Sequence, residues 1–377
     1  MQEPFPYDMR AVLTAPGKAL SLKKIFVASW FLLLAYITYL IFTYIALMFD
    51  GVNFTYIRDA YGLFPVRWFP FDAIWALIIY LIGLDLAGLF LSLAIMGVAV
   101  IDMEQLRGDH FFSARRAIGF AFSRIPTLIL VNVSIIVFVG FVCFLGLLVG
   151  LIGRIPELGN IVLAVFYTVP TFITLILTVF VGFVTVVGIV LLPVVLAAQK
   201  RKEVFDGLLQ LFSVMIREPV RFFFYLGISA ALAKIASFVY AYFVYRTVQV
   251  SKFLLTATGG ENVEKMFISA LNSLPFKTTM VRFFTNIFPG IDFGFTFSRW
   301  GYGGHTTLAS VILAAGFLFI FLTVIGYAVA VLATGLARGY AVIRRMKDDY
   351  FICEEDPLHK SEDFVNPPFE IKKESSS

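Results

Sequence analysis

Hydrophobic residues gather along this chain into six long blocks, and shorter polar stretches separate the blocks. The blocks cover residues 25–48, 71–101, 126–152, 161–198, 222–248 and 306–337. Because an α-helix rises about 1.5 Å per residue, roughly 20 apolar residues are enough to cross the hydrocarbon core of a bilayer. The pattern therefore predicts an all-α integral membrane protein with about six transmembrane helices.

The fourth block is too long for one straight crossing. As a continuous helix it would measure about 57 Å, whereas a bilayer with its headgroups is about 40–45 Å thick. Pro170 lies near the start of this block and lacks the backbone N–H that an uninterrupted helix needs. We therefore expect a break at Pro170 and a crossing over residues 171–197.

The composition agrees with a membrane protein and excludes an ordinary water-soluble domain. Of the 377 residues, 60% are hydrophobic and only 15% are charged, and the mean hydropathy is +0.89. A soluble domain carries about 25% charged residues. The net charge of +5 comes from Lys and Arg near the ends of the apolar blocks. That placement suits anionic lipid headgroups, so we expect membrane lipids as partners and no nucleic acid.

The positions of Lys and Arg also predict the orientation of the chain. Most of them lie before the first block, after the last block, or in the polar stretches 107–124 and 200–221. Loops on the cytoplasmic side of a membrane carry an excess of Lys and Arg. Both termini are therefore expected in the cytoplasm.

Two of the polar stretches, residues 112–126 and 205–219, match each other at a constant offset of 93 residues. The matched pairs are Phe112 with Phe205, Arg124 with Arg217, and Pro126 with Pro219. Apolar residues recur every three or four positions in both stretches, which predicts amphipathic interfacial helices over residues 113–125 and 206–218. We expect Ser113 and Asp206 to cap these helices. The expected interfacial anchors are Arg115, Arg116, Arg124, Arg217 and Arg221.

A capped amphipathic helix followed by two crossings, repeated in tandem, resembles a superfamily of six-helix bacterial and archaeal membrane proteins. That superfamily includes the membrane domain attached to some glycerophosphodiester phosphodiesterases, and the resemblance covers residues 1–347. It implies a membrane domain built from helix-hairpin repeats in a prokaryotic cytoplasmic (inner) membrane. The catalytic barrel of the phosphodiesterases is missing from this sequence, so their activity is not implied.

Two segments lie outside the predicted crossings. Residues 249–305 are expected to form an extracytoplasmic cap, rich in aromatic residues, that either covers the helix bundle or docks another membrane subunit. The residues of the possible partner surface are Phe283, Phe284, Phe288, Phe293 and Trp300. Residues 348–377 form a polar cytoplasmic tail that we expect to be disordered.

Two ionisable residues fall deep inside crossings at similar depth, Asp85 in the second and Lys234 in the fifth. A charge at the bilayer centre costs about 2.5–3.5 kcal/mol on insertion scales, so a partner is expected. We predict that Asp85 and Lys234 form an intramembrane charge pair within the bundle. Such a pair either orients the helices or belongs to an ion or proton path.

No motif in the chain carries catalytic chemistry, and we expect no cofactor, no metal site and no disulfide between Cys143 and Cys353. The first functional hypothesis is a non-catalytic scaffold or accessory subunit that binds lipids, other membrane subunits or itself. The second is a transporter or channel that uses Asp85 and Lys234. The third is an intramembrane lipid enzyme, for which the only candidate cluster is His110 with Asp109 and Glu104.

Overall fold

The computed structural model describes a helical protein. The described residues are 5–61, 71–152, 158–166, 172–199, 204–273, 308–354 and 358, and every regular element in these ranges is a helix. The α-helices are α1 (Met9–Leu13), α2 (Ala15–Ala19), α3 (Leu22–Phe49), α4 (Phe54–Tyr61), α5 (Ile74–Leu106), α6 (Ala114–Ser123), α7 (Ile125–Ile152), α8 (Leu158–Phe166), α9 (Phe172–Ala198), α10 (Val204–Arg217), α11 (Pro219–Ser273) and α12 (Leu308–Asp348). A short 3₁₀ helix, Ile352–Glu354, follows α12. The predicted all-α class is confirmed.

Several of these helices are long and apolar enough to cross a membrane. Within the described ranges α3, α5, α11 and α12 meet that condition, and the bent helix α9 raises the number from four to five. The apolar section described within α7 is shorter, covering Val137–Leu148. A protein with several membrane-spanning helices is therefore supported, and the sixth crossing stays a prediction.

The fourth apolar block divides into two helices, α8 and α9. Pro170, where we expected the break, lies outside the described residues. α9 itself is bent by 60° between Val184 and Val187. Pro193 lies further along α9 without ending it.

The helix of the predicted fifth crossing continues beyond the end of its apolar block. Residue 248 was the expected limit, yet α11 continues to Ser273 and is interrupted only at Gly260. The backbone of Gly260 has φ 64° and ψ −159°, a conformation that side chains disfavour and glycine allows. The helix continues past residue 248 because no Gly or Pro stands between that point and Gly259. The aromatic part of the expected cap, residues 274–305, lies outside the described residues.

The chain divides into two compact units. The first unit combines Met1–Ala11, Ala99–Leu226 and Leu336–Ser377, and the second combines Val12–Val98 and Gly227–Gly335. The helices α5, α11 and α12 each contribute residues to both units.

In the second unit, α3 packs against α5 through aromatic rings and a glycine. The rings of Tyr39 and Tyr80 meet edge-on with their centroids 6.4 Å apart. Gly97 of α5 lies against Val27 and Phe31 of α3, and a Cβ at Gly97 would come within 2.7 Å of the Val27 side chain. A larger residue at this position would therefore push the two helices apart.

A hydrogen bond joins α3 to α12, and an aromatic contact joins α12 to α11. The Ser29 hydroxyl of α3 donates to the carbonyl of Leu322 in α12 at 3.4 Å. On the other side of α12, the ring of Tyr327 lies 5.1 Å from the ring of Tyr240 in α11. These contacts link the helices of the second unit in the order α5, α3, α12, α11.

Gly326 provides a test of this packing. A Cβ at Gly326 would overlap the Ser29 hydroxyl and come within 3.2 Å of the Ile25 carbonyl, which cannot give way cheaply. We expect Gly326→Ala to lower the free energy of unfolding by about 1–3 kcal/mol, the usual cost of overpacking. The measurement is thermal or denaturant unfolding in detergent.

Gly316 of the same helix is the matched control, because a Cβ there would have no atom within 4 Å. Gly316→Ala should leave stability unchanged or raise it by up to about 1 kcal/mol through helix propensity. An equal loss in both variants would contradict the close approach of α3 and α12 at Gly326.

Candidate functional site

The first unit contains a cluster of charged and polar side chains, most of which are buried, whereas Asp206, Gln210 and Arg344 are half-buried. Asp102 and Glu104 near the end of α5 have no exposed surface, and Arg124 is 1% exposed. We call this group the buried polar cluster. Its members are Asp102, Glu104, Arg107, Arg124, Gln199, Asp206, Gln210, Arg338, Tyr340 and Arg344. Because a buried charge without a partner is strongly unfavourable, the partners of these groups decide what the cluster does.

One ion pair of the cluster joins α5 to α12. The Arg338 Nε donates to the Asp102 carboxylate at 3.1 Å, and both side chains are buried. The pair fixes the position of the two helices relative to each other in this unit, because removing either charge would leave the other buried.

Two other arginines bind the carboxyl-terminal end of α9. Arg107 donates to the Ala198 carbonyl at 2.7 Å and to the Glu104 carboxylate at 2.7 Å. Arg124 donates to the Gln199 carbonyl at 2.9 Å. The last carbonyls of a helix have no partner within the helix and carry partial negative charge, so cations are favourable there. This requirement explains why two arginines converge on one helix end.

The amide and hydroxyl members of the cluster connect α9, α10 and α12. The Asp206 carboxylate accepts from the Gln199 amide at 2.7 Å and from the Gln210 amide at 2.9 Å. The Gln210 Oε1 in turn accepts from the Tyr340 hydroxyl at 2.5 Å and from Arg344 at 3.1 Å. The hydrogen bonds run continuously from α9 through α10 to α12.

The first part of the expected cytoplasmic tail packs against the same unit. The backbone N–H of Leu358 donates to the Glu104 carboxylate at 2.8 Å, and Leu358 is buried. The backbone N–H of Cys353 donates to the Tyr7 hydroxyl at 3.4 Å. The Arg345 guanidinium carbon lies over the Tyr7 ring, 4.6 Å from the ring centroid. Burial raises the pKa of Tyr7 to about 12, so this hydroxyl stays protonated at neutral pH. Residues 355–357 and 359–377 lie outside the described part of the chain.

The cluster has the features of a structural site. Each acid named above accepts hydrogen bonds from basic, amide or backbone groups of the same unit. Within the described ranges, no group of three or more His, Cys, Asp or Glu side chains is placed to hold a metal ion. The three residues of the expected cluster, His110, Asp109 and Glu104, have different surroundings. Glu104 is buried against Arg107, the Asp109 carboxylate accepts from the Phe111 N–H, and His110 is exposed.

The five expected interfacial anchors fall into two groups. Arg115, Arg116, Arg217 and Arg221 are exposed, as a surface anchor requires. Arg124 is instead buried on the end of α9, because its guanidinium satisfies a helix carbonyl there. Its counterpart in the sequence match, Arg217, has no such environment. The two matched positions therefore differ in structure.

The two expected helix caps also differ. The Ser113 hydroxyl accepts from the Arg116 N–H at 3.3 Å, so Ser113 is the N-cap of α6 as predicted. The prediction for Asp206 is wrong, because α10 begins earlier, at Val204, and Asp206 lies in its first turn. The Asp206 carboxylate is used for the glutamine contacts instead.

The structure does not bring Asp85 and Lys234 together. Both side chains are exposed, and no hydrogen bond or ion pair joins either of them to another described residue. Two hydroxyls near the fifth crossing, which the sequence also allowed as partners for these charges, have other neighbours: Tyr240 contacts Thr323 at 3.4 Å, and Ser229 is buried beside Gly335. The expected partner surface from Phe283 to Trp300 lies outside the described residues.

The sequence pattern did not single out the ion pair of Asp102 and Arg338. The sequence does indicate this pair, because Asp102 directly follows the second apolar block and Arg338 directly follows the sixth. An acid and a base at similar depth in a membrane favour pairing. Arg338 is one of the basic residues after the last apolar block, which predicted only the orientation of the chain.

The ion pair of Asp102 and Arg338 is testable by mutation. Asp102→Ala should lower the free energy of unfolding by about 3–5 kcal/mol, because it leaves Arg338 buried without its carboxylate. The double variant Asp102→Ala with Arg338→Met should lose less than the single variant. Reversible unfolding in mixed detergent measures both.

The matched control for this test is Glu261→Ala, which removes the carboxylate from an exposed pair with Lys265. It should cause no measurable loss, because exposed ion pairs contribute little. A loss for Asp102→Ala no larger than that of the control would contradict a structural role for the buried pair.

No protein-family model, curated protein or solved structure matches this chain. Any function has to rest on the chain's own residues and contacts.

Proposed function

We propose that the protein is a non-catalytic multi-pass membrane module, a scaffold or accessory subunit that binds lipids or other membrane proteins through the sides of its helices. The observation that carries the proposal is how little of its apolar helix surface the chain covers by itself. In three of the four long spans, only 28% (α3 and α11) or 22% (α12) of the most apolar 18-residue stretch is buried inside the chain, whereas the value for α5 is 56%. The remaining apolar surface needs lipid or protein against it.

The arrangement in the membrane belongs to the same proposal. The chain crosses six times as helix-hairpin repeats, with both termini in the cytoplasm of a prokaryotic cell, as the six-helix superfamily implies. Two observations support the repeats. First, the short helices α6 and α10 lead directly into the long helices α7 and α11. Second, α7 and α11 each have a proline in their first turn. Proline is favourable at the start of a helix.

The buried polar cluster gives such a module a rigid end. Its ion pairs and hydrogen bonds connect residues of α5, α9, α10 and α12 within the first unit. Groups held in fixed positions lose little freedom when a partner binds, which favours binding.

A transporter or channel is the second candidate, and the bend in α9 favours it. Discontinuous helices frame the substrate sites of many transporters, and α9 is bent by 60° within its apolar stretch. In that case Asp85→Asn would abolish flux in proteoliposomes while the protein still inserts. A scaffold would show no flux before or after the substitution.

Site-specific photocrosslinking in native membranes tests the scaffold. A crosslinker at Ile41 of α3 or Ile312 of α12, both exposed, should capture the same protein partner in a fixed ratio. Crosslinkers at the buried positions Val27 and Val331 are the matched controls and should capture none. Capture of lipid alone at the exposed positions, together with flux in proteoliposomes, would contradict a scaffold for proteins.

A further inference from the structure

Asp85 lies in the middle of an exposed apolar surface. On α5 it shares a helix face with Ile74, Ile78 and Leu81, since these residues are spaced at intervals of three or four. All three neighbours are exposed, as is Asp85 itself. The carboxylate therefore points out of the second unit at a depth where the helix is surrounded by apolar side chains.

Lys234 occupies an equivalent place on α11. Gly227, Ala230 and Ala231 precede Lys234 by seven, four and three positions, so they share its helix face, and all four residues are exposed. A Cβ at Gly227 would have no atom within 4 Å, so this side of α11 is open to close approach by another helix.

The two charges lie at similar depth. Asp85 is about 24 Å along its helix from the end of its apolar block at Ile101, and Lys234 is about 18 Å from the corresponding end at Phe222. The difference of about 6 Å is bridged by the flexible four-carbon stem of the lysine. Both charges fall within the hydrocarbon thickness of about 30 Å, where water is not available to solvate them.

We propose that Asp85 of one copy of this chain pairs with Lys234 of a second copy inside the membrane. The inference rests on the proposed function and deepens it by naming the partner. Charge complementarity carries it: the chain exposes one acid and one base at matching depth, and the described part of each copy supplies neither with a counter-charge. A second copy supplies a base for Asp85 and an acid for Lys234.

The order of helices in the second unit fits this pairing. Contacts link α5 to α3, α3 to α12 and α12 to α11, so the acid and the base stand on the first and last helices of the series. When two copies meet around a two-fold axis along the membrane normal, α5 of each faces α11 of the other. The same ion pair then forms twice, as a self-complementary interface requires.

The experiment exploits the symmetry of the charges. Asp85→Lys gives a chain with two bases at the interface, and Lys234→Asp gives a chain with two acids. Each variant alone should fail to associate, because like charges would face each other. A mixture of the two, carrying different tags and co-expressed as full-length chains, should form mixed dimers, because both ion pairs are restored between copies. Counting photobleaching steps in liposomes, with co-capture of the two tags, measures association.

The expected result is a dimer in the unaltered chain, monomers in each charge-reversal variant, and a recovered dimer in the mixture. Lys265→Asp, a charge reversal at an exposed position of α11 with a partner on its own helix, is the matched control and should leave the dimer intact. Where charge reversal prevents insertion, Asp85→Asn and Lys234→Gln replace it, since neutral residues insert more easily. Each of these should weaken the dimer at least about tenfold.

Three results would overturn the proposal. One is a monomeric unaltered chain, and another is a dimer that persists in Asp85→Asn or Lys234→Gln. The third is recovery only when both reversals are in one chain, which would place the pair within a copy. The proposed function fails separately, when crosslinkers on α3 and α12 capture no protein and the chain shows flux.

Discussion

A charge that leaves water must find a partner, because the cost of desolvation is several kcal/mol for each ion. In the first unit this constraint is met within the chain. Arg107 and Arg124 bind the carbonyls at the end of α9, and Arg338 binds Asp102. The same groups that would be unfavourable alone therefore hold several helix ends of the first unit at fixed positions.

Some features of the fold follow directly from the sequence, because they depend on residues close together in the chain. The long apolar helices are of this kind, and so is the cap at Ser113. The interruption of α11 at Gly260 is also local, since Gly259 and Gly260 are the first helix-breaking residues after the fifth apolar block. Local composition decides where such elements begin and end.

Other features depend on which elements meet in space, and the sequence pattern does not contain that information. Arg124 and Arg217 occupy matching positions in the sequence, yet only Arg124 lies against the carbonyl end of another helix. Asp206 has the chemistry of an N-cap but is drawn into contacts with Gln199 and Gln210. The candidate site missed by the pattern was built from such long-range contacts.

In the second unit this requirement is not met within the described part of one copy, because Asp85 and Lys234 are exposed among apolar side chains. Pairing between two copies would give each charge a partner. The most direct measurement is the distance between spin labels in lipid, one on Leu84 of α5 and one on Ile235 of α11, carried by different copies. The account predicts an intermolecular distance within about two helix diameters, roughly 20 Å. Labels on different copies that show no dipolar coupling would contradict it.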